Sequence, residues 1–552
     1  VALALLSLVS FGVSLRFAFA MPPLSGWDET AHAGYAIELA RGNLPQIDTW
    51  VMDDHRRFPQ LSDAIAGWNP RGRQVWVANH PPLYYLLAAP FMALADRLGV
   101  PGAGLLAMRV LNAAGTAGCV VVVGLIAREV VGRRAVTLLA AVLAASATTL
   151  AMQGGYGYND GIAALVGGLV LLAGVRMLRW GPTLRRLTTL ALLAAAAAGL
   201  KAPNLLAVAV CVVMAGACVL VHRTGRGSVA RALGASGFVA VVPILAFGWF
   251  YLRNLRLYGD LTGAEVLLTG FQRRVRGSVL QTAFDLGFHR RWFEEIWIRP
   301  TYDPNLRVIP YVMLAAALTG LVLLWLDRLR TPDRNPSDPA GGPDEPAAHR
   351  GLLVAWWLLG LHAVALLALL VQFHSTGGYV HRRYLLPLLP LLATVLAVGL
   401  LRSATALSPL VPQSASALWS DPSVLPPSSQ PLEVRPDQHR WHALVMVVVS
   451  TGMLLLPFVA DGASAVPVER SPKVPGLGHP TLGWPAPMLA YGMAAAAAFW
   501  FVVREAQRVL VVASTPAVAS VPGQPGSTKA RRPTGDAPFD VELDAGDVSS
   551  PT

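Results

Sequence analysis

Apolar runs of about 20 residues, enough to cross a bilayer, recur from one end of the chain to the other with short polar breaks between them. About twelve stand out at that length, near residues 1–20, 106–127, 135–153, 160–178, 187–200, 202–221, 232–252, 306–326, 351–372, 383–401, 441–459 and 486–503. Each reads as a helix, because a segment in hydrocarbon has to satisfy its backbone polar groups internally. The pattern predicts an all-α polytopic membrane protein. The pair around Lys201 also admits a single kinked helix, since its first member is short.

Composition agrees: 54% of residues are hydrophobic and 14% charged, with a mean hydropathy of +0.50. This leaves no room for a soluble domain of ordinary size. The net charge of +12 suggests nucleic acid until the arginines are placed. They gather in short breaks, at Arg128, Arg133 and Arg134, at Arg176, Arg179, Arg185 and Arg186, at Arg223, Arg226 and Arg231, and at Arg328, Arg330 and Arg334. By the span count these breaks share one side, and basic short loops mark the cytoplasm. The charge is thus a topology signal, and nucleic acid is not an expected partner. The amino terminus is expected inside and the acidic motifs outside. Cys119, Cys211 and Cys218 fall within spans and read as small packing residues. Ala18-Phe19-Ala20 has the form of a signal-peptidase site, but cleavage there would cut the Asp28 loop from the helix expected to hold it.

Residues 1–403 form the expected core, with outer loops at 21–105 and 253–305. Residues 404–440 read as a disordered cytoplasmic insert, 441–512 as carboxy-terminal membrane helices and 513–552 as a disordered tail. A second low-complexity stretch covers 327–350. These polar segments hold too little apolar surface to offset chain entropy. The first outer loop closes with His80-Pro81-Pro82-Leu83-Tyr84-Tyr85, which suits a short helix in the membrane interface. No internal repeat is visible, which counts against repeat-built transporters.

Carboxylates at the mouths of membrane helices need a reason, because an unpaired charge near hydrocarbon costs several kcal/mol, on the order of 2.5–3.5 even on insertion scales. Two places qualify: Trp27-Asp28-Glu29-Thr30-Ala31-His32 after the first span, and Tyr158-Asn159-Asp160 between two later ones. Asp28 and Asp160 each precede a helical stretch, so helix capping and catalysis are both open to them. His32 falls four residues after Asp28, on the same helical face. Two carboxylates converging at one boundary would let one act as general base while the other orients an acceptor or a divalent cation. Lys201, Arg253, Arg382 and Arg383 are expected on the same side, where arginine runs against the inside bias and matches phosphate oxygens.

The order of these pieces resembles the polyprenyl-phosphate-dependent type C glycosyltransferases, such as the protein O-mannosyltransferases, the lipid A aminoarabinose transferases and a bacterial branch of the superfamily. The resemblance covers roughly residues 1 to 400 and lies in an Asp-Glu pair after the first helix, a His-Pro-Pro-Leu segment, a helix starting at Arg109, a second acidic motif, and later Arg-Asn…Tyr-Gly-Asp and Arg-Tyr-Leu-Leu-Pro segments. It implies the GT-C fold with juxtamembrane helices on the outer face. It implies Asp28, Glu29 and Asp160 as catalytic residues. It implies Lys201 and the arginines near Arg253 and Arg382 at the lipid phosphate, while His32, His80, Asn159 and Arg383 are substrate-binding candidates by their place beside these motifs, with a simple interfacial role also open to His32. The expected function is transfer of a sugar from a polyprenyl-phosphate donor to a glycan, lipid or protein acceptor at the outer face of the plasma membrane. A flippase of lipid-linked sugar and a non-catalytic membrane scaffold are the alternatives. A convergence of Asp28 and Asp160 would separate the enzyme from both.

Overall fold

The computed structural model describes residues 1–21, 24, 28–51, 74–223, 225–297, 308–330, 345–407, 446–458 and 485–514. The expected disordered stretches fall largely outside these. Where described residues reach into them they are helical, at 327–330, 345–350, 404–407 and 513–514.

Helices follow one another along the chain: α1 (Ala2–Ala20), α2 (Glu29–Ala40), α3 (Leu83–Arg97), α4 (Pro101–Val131), α5 (Arg134–Ala145), α6 (Thr148–Gly154), α7 (Asp160–Trp180), α8 (Leu184–Leu200), α9 (Asn204–His222) and α10 (Ser228–Tyr258). Three shorter ones come next, α11 (Ala264–Gly270), α12 (Val279–Ala283) and α13 (Leu286–Trp297). Then come α14 (Val308–Arg330), α15 (Glu345–Ser375), a 3-10 turn at Arg382–Leu388 running into α16 (Leu389–Leu407), α17 (Met446–Phe458) and α18 (Pro485–Ser514). Among the described residues nine helices are long and apolar enough to cross a membrane, ten if the bent pair α5 and α6 counts as one span. The other two of the twelve expected segments are helices α8, 17 residues long, and α17.

α4 begins at Pro101, eight residues before the start expected at Arg109. Proline is pre-organised for a first helical position, and Arg109 can lie inside the helix because Glu29 neutralises it. The helix ends at Gly132, which adopts the left-handed conformation at φ 74°.

Lys201 separates two antiparallel arms. Asn159 bonds Leu200 O, Asp160 pairs with Lys201, Asn204 bonds Ala163 O, Cys211 reaches Val170 O and Cys218 reaches Met177 O, each across 41 residues. A constant offset means that α7 and α9 run parallel in register and α8 returns between them, which corrects the kinked-helix alternative. The three cysteines are free and buried.

The bend between α5 and α6 is 56° and is filled by the end of α13. The indole of the buried Trp297 and the hydroxyl of Ser146 both donate to Leu143 O, a carbonyl exposed by the break. In return Thr148 Oγ1 donates to Trp297 O at 2.8 Å and Thr149 to Glu295 O. Non-helical backbone at membrane depth survives where protein groups satisfy it, as they do here.

The arginine-rich turns gather at one end of the bundle. Glu129 near the end of α4 accepts from Arg176 and Arg179 near the end of α7, His222 contacts Leu178 O, and Arg402 pairs with Asp327. The acidic motifs lie at the other end, with α2, α3 and α11 to α13.

Candidate active site

The site is assembled where α4 and α7 cross at closest approach. A Cβ on Gly115 would lie 2.4 Å from Ile162 N, and one on Gly161 would lie 2.4 Å from Asn112 O, so only glycine fits at either point. Asn112 uses this closeness. Its Oδ1 accepts from Gly161 N at 2.7 Å, and its Nδ2 donates to Gln153 O and Tyr156 O at 2.6 and 3.0 Å. The first turn of α7 is thereby served from α4, and Asp160 makes no cap bond.

Asp28 stands at the N-cap of α2, also without a side-chain cap bond. Its Oδ2 accepts instead from Arg383 Nη2. Arg383 Nη1 is 3.6 Å from Asp160 Oδ2, and Asp160 Oδ1 accepts from Lys201 Nζ. Two carboxylates, one at the start of the first outer loop and one at the start of α7, thus converge on one guanidinium, with a lysine completing the cluster. All four groups are less than a tenth exposed. Tyr158 and Tyr384 rings flank Arg383, their centroids 5.1 and 5.5 Å from its Cζ, and Tyr384 also faces Lys201 Nζ at 5.7 Å. Burial pulls the Lys201 ammonium below its usual range.

Glu29, the neighbour of Asp28, has a different setting. Its carboxylate accepts both Arg109 Nε and Nη2 at 2.7 Å and the Gly157 N–H at 2.8 Å. Arg109 Nη1 donates to Ala18 O and Met21 O at 2.8 and 2.7 Å, gripping the end of α1. This fully buried bidentate pair clamps the end of α1, the start of α2 and the 153–158 turn together.

His32 and His80 line the same place. His32 Nδ1 shares a hydrogen bond of 2.8 Å with Tyr85 Oη, which also lies 3.3 Å from His80 Nδ1, and Asn159 Nδ2 is 3.5 Å from His80 Nδ1. Burial holds both imidazoles neutral. That of His32 is pushed well below its usual value by burial, with neighbouring His80 and the charges of Arg383 and Lys201 acting in the same direction. That of His80 is pushed down to about 3 by burial and then by Lys201. Asn159 Oδ1, Asp160 Oδ2 and Arg383 Nε are buried without a hydrogen-bond partner.

The remaining expected residues lie beside this cluster or apart from it. Arg382 reaches toward Glu295 at 3.9 Å and Met152 Sδ at 3.8 Å. Arg253 Nη2 donates to Pro45 O at 2.6 Å and so anchors the chain after α2, while its Nη1 is buried without an acceptor. As for the divalent cation, no group of three or more His, Cys, Asp or Glu side chains is placed to hold a metal among the described residues. The two converging carboxylates are taken by Arg383 and Lys201, so the cluster as arranged does not fit a resident ion.

No protein-family model matches the chain, and no curated protein does. Solved structures do. ArnT from Cupriavidus metallidurans aligns in its apo state over 89% of this chain and 76% of its own, with 16% identity and a TM-score of 0.39. The same protein bound to undecaprenyl phosphate aligns over 90% and 76%, with 16% identity and a TM-score of 0.40. The archaeal oligosaccharyltransferase AglB from Archaeoglobus fulgidus, in complex with an inhibitory peptide and a dolichol-phosphate, aligns over 84% of this chain and 55% of its own, with 12% identity and a TM-score of 0.39. At such identities the roles of individual residues have to come from this chain's own geometry.

The sequence reading missed Arg109, Asn112, Tyr85 and Trp297. For Arg109 a signal exists. An arginine inside a span-length apolar helix requires a buried partner, and Glu29 is the carboxylate at the matching boundary.

Proposed function

We propose that this protein is a membrane glycosyltransferase that moves a sugar from a polyprenyl-phosphate donor to an acceptor hydroxyl at the outer face of the plasma membrane. The observation that carries this reading is the convergence of Asp28 and Asp160 on Arg383, with Lys201 beside them, at the end of the bundle opposite the arginine-rich turns. Basic short loops favour the cytoplasmic side, which supports a site at the outer face.

The resting cluster is a set of mutually neutralised charges that a phosphate can reorganise. A donor phosphate offers oxygens that match a guanidinium in bidentate fashion and an ammonium as a point charge. As it takes up Arg383 and Lys201, Asp28 loses its counter-ion and becomes available as a base. Asp28 then removes the proton of the acceptor hydroxyl while that oxygen bonds to the anomeric carbon. The bond from that carbon to the phosphate oxygen breaks, with inversion. The electron pair stays on the departing polyprenyl phosphate, whose charge Arg383 and Lys201 stabilise, and the proton ends on Asp28.

Asp160 holds Lys201 and orients the acceptor. His32, His80 and Asn159 offer neutral hydrogen-bonding groups to hydroxyls, and Arg382 adds positive charge beside the phosphate. Arg253 has one further donor to offer. Glu29 acts through Arg109 and the Gly157 N–H to fix the position of Asp28. A flippase would need the cations but not the paired carboxylates.

The test is to supply purified protein with polyprenyl-phosphate sugars and follow release of the lipid phosphate. Movement of the donor between leaflets with its sugar–phosphate bond intact would overturn the reading in favour of a flippase.

A further inference from the structure

The segment from Phe271 to Leu286, which spans the loop after α11, helix α12 and the start of α13, combines exposed apolar side chains with a run of arginines. Val275, Leu280, Phe284 and Leu286 are 76%, 70%, 81% and 82% exposed. Between Phe271 and Phe284 the chain carries Arg273, Arg274 and Arg276 and no carboxylate. The first acid after them, Asp285, turns its Oδ1 onto Gly287 N at 2.8 Å. With helices of 7, 5 and 12 residues the region is too short to cross a bilayer.

Its height in the fold is fixed by contacts with the end of a span. Arg276 N donates to Ser375 O at 3.0 Å, the last residue of α15. Arg276 Nη1 lies 3.2 Å from His374 Nδ1, and the Phe288 ring is 4.9 Å from that of His374. Gly377, at φ 101°, admits Arg274 O so closely that a Cβ there would lie 2.5 Å from it. Just below, α15 turns Leu361, Val364 and Leu369 outward, the surface a span shows to lipid. The segment therefore sits where hydrocarbon gives way to headgroups.

We infer that residues 271–286 form a membrane-surface platform whose exposed apolar side chains enter the outer leaflet while Arg273 and Arg274 bind the phosphates of anionic lipid headgroups. Only that boundary serves both halves of the segment. Acyl chains cover Val275, Leu280, Phe284 and Leu286, and guanidinium groups extend from the same backbone to phosphate oxygens. Juxtamembrane arginines gain from an anionic surface and lose that gain when the surface is neutral. The platform also backs the 374–379 turn that leads into Arg382 and Arg383. Its occupant does not depend on what reaction the site performs.

The experiment uses the full chain in proteoliposomes of phosphatidylcholine, alone or with phosphatidylglycerol. Because Cys119, Cys211 and Cys218 are buried, a nitroxide on Phe284→Cys reports mainly from that position. The expected result is relaxation of the label by oxygen rather than by a water-soluble nickel chelate. Protection from nickel should be at least twofold greater with phosphatidylglycerol, and that increment should vanish in Phe284→Cys carrying Arg273→Gln and Arg274→Gln. A label open to nickel in both vesicles would overturn the proposal and point to a protein partner as the cover. Equal burial in both would overturn it too, leaving an apolar contact in which the arginines take no part.

Discussion

Asp28 occupies the helix-capping position of α2, yet its carboxylate leaves the helix and pairs with Arg383, 355 residues further along the chain. Capping and catalysis make different demands on this side chain. Here the cap is not made, so an amide at position 28 forfeits no helix bond and can still accept from Arg383. Asp28→Asn is expected to stay folded with at most a modest drop in thermal midpoint, since Asp160 at 3.6 Å remains as a counter-charge for Arg383, while loss of the base lowers sugar transfer by about a hundredfold or more. Full transfer with Asn at 28 would remove the carboxylate from the reaction.

The basic residues separate in the same way. Arg383 touches both carboxylates, whereas Arg253 is already committed to Pro45 O. Arg383→Gln is expected to weaken binding of the lipid-phosphate donor by about 10- to 100-fold, the loss of one charge-assisted contact of about 1.5–3 kcal/mol. Arg253→Ala should change donor affinity much less and lower stability instead, by freeing the chain after α2. Titrating both variants with the donor checks this, and equal losses would place Arg253 at the phosphate.

The helices and the two acidic motifs were legible because membrane spanning and burial of charge both leave strong marks in one sequence. Each of the twelve apolar segments holds a helix among its described residues, and Asp28 and Asp160 stand out as acids at span ends. What joins them was not legible. Arg383 meets Asp28 only through packing of α16 against distant helices, and no local pattern gives a pairing across 355 residues. Asn112 looks like an ordinary polar residue in a helix until Gly115 and Gly161 bring α7 within reach. Trp297 could not be placed by periodicity, since its partner is a carbonyl released by a bend elsewhere.

The neutral histidines set an acid limit on the fold. His80 titrates at about 3 in the folded protein and near 6.5 when unfolded. Between these values the unfolded chain binds a proton that the native one refuses, so stability is complete above about pH 6.5 and declines as pH falls toward 3. His32, also depressed, acts in the same direction. The thermal midpoint should fall on acidification through this window, as the unfolding free energy drops by up to about 1.4 kcal/mol per pH unit per histidine. His80→Gln should flatten the decline, and an unchanged slope in that variant would remove His80 as a contributor.

The arginine-rich turns make an independent prediction about orientation. If they face the cytoplasm, a membrane-impermeant thiol reagent applied to intact cells should label a cysteine engineered at Thr376, exposed at the carboxylate end of the bundle. It should miss one at Arg226, in the turn before α10. The reverse pattern would put the site on the cytoplasmic face.

Arg109 tests whether the buried clamp beneath Asp28 serves the reaction or only the fold. Removing one partner of a buried ion pair strands the other, so Arg109→Ala should cost about 3–5 kcal/mol, whereas replacing both partners by apolar residues can recover much of that loss. The double variant Arg109→Leu, Glu29→Leu is therefore expected to melt closer to the parent than Arg109→Ala does. It should still transfer sugar poorly, because the Gly157 N–H and the Ala18 and Met21 carbonyls lose the groups that hold α1, α2 and the 153–158 turn in register. Asp28 follows that register directly, being the residue before Glu29, with its own N–H 3.4 Å from Tyr158 Oη. Melting and transfer measured together on the three proteins give the answer, and a double variant that is both stable and fully active would reduce the clamp to a structural role.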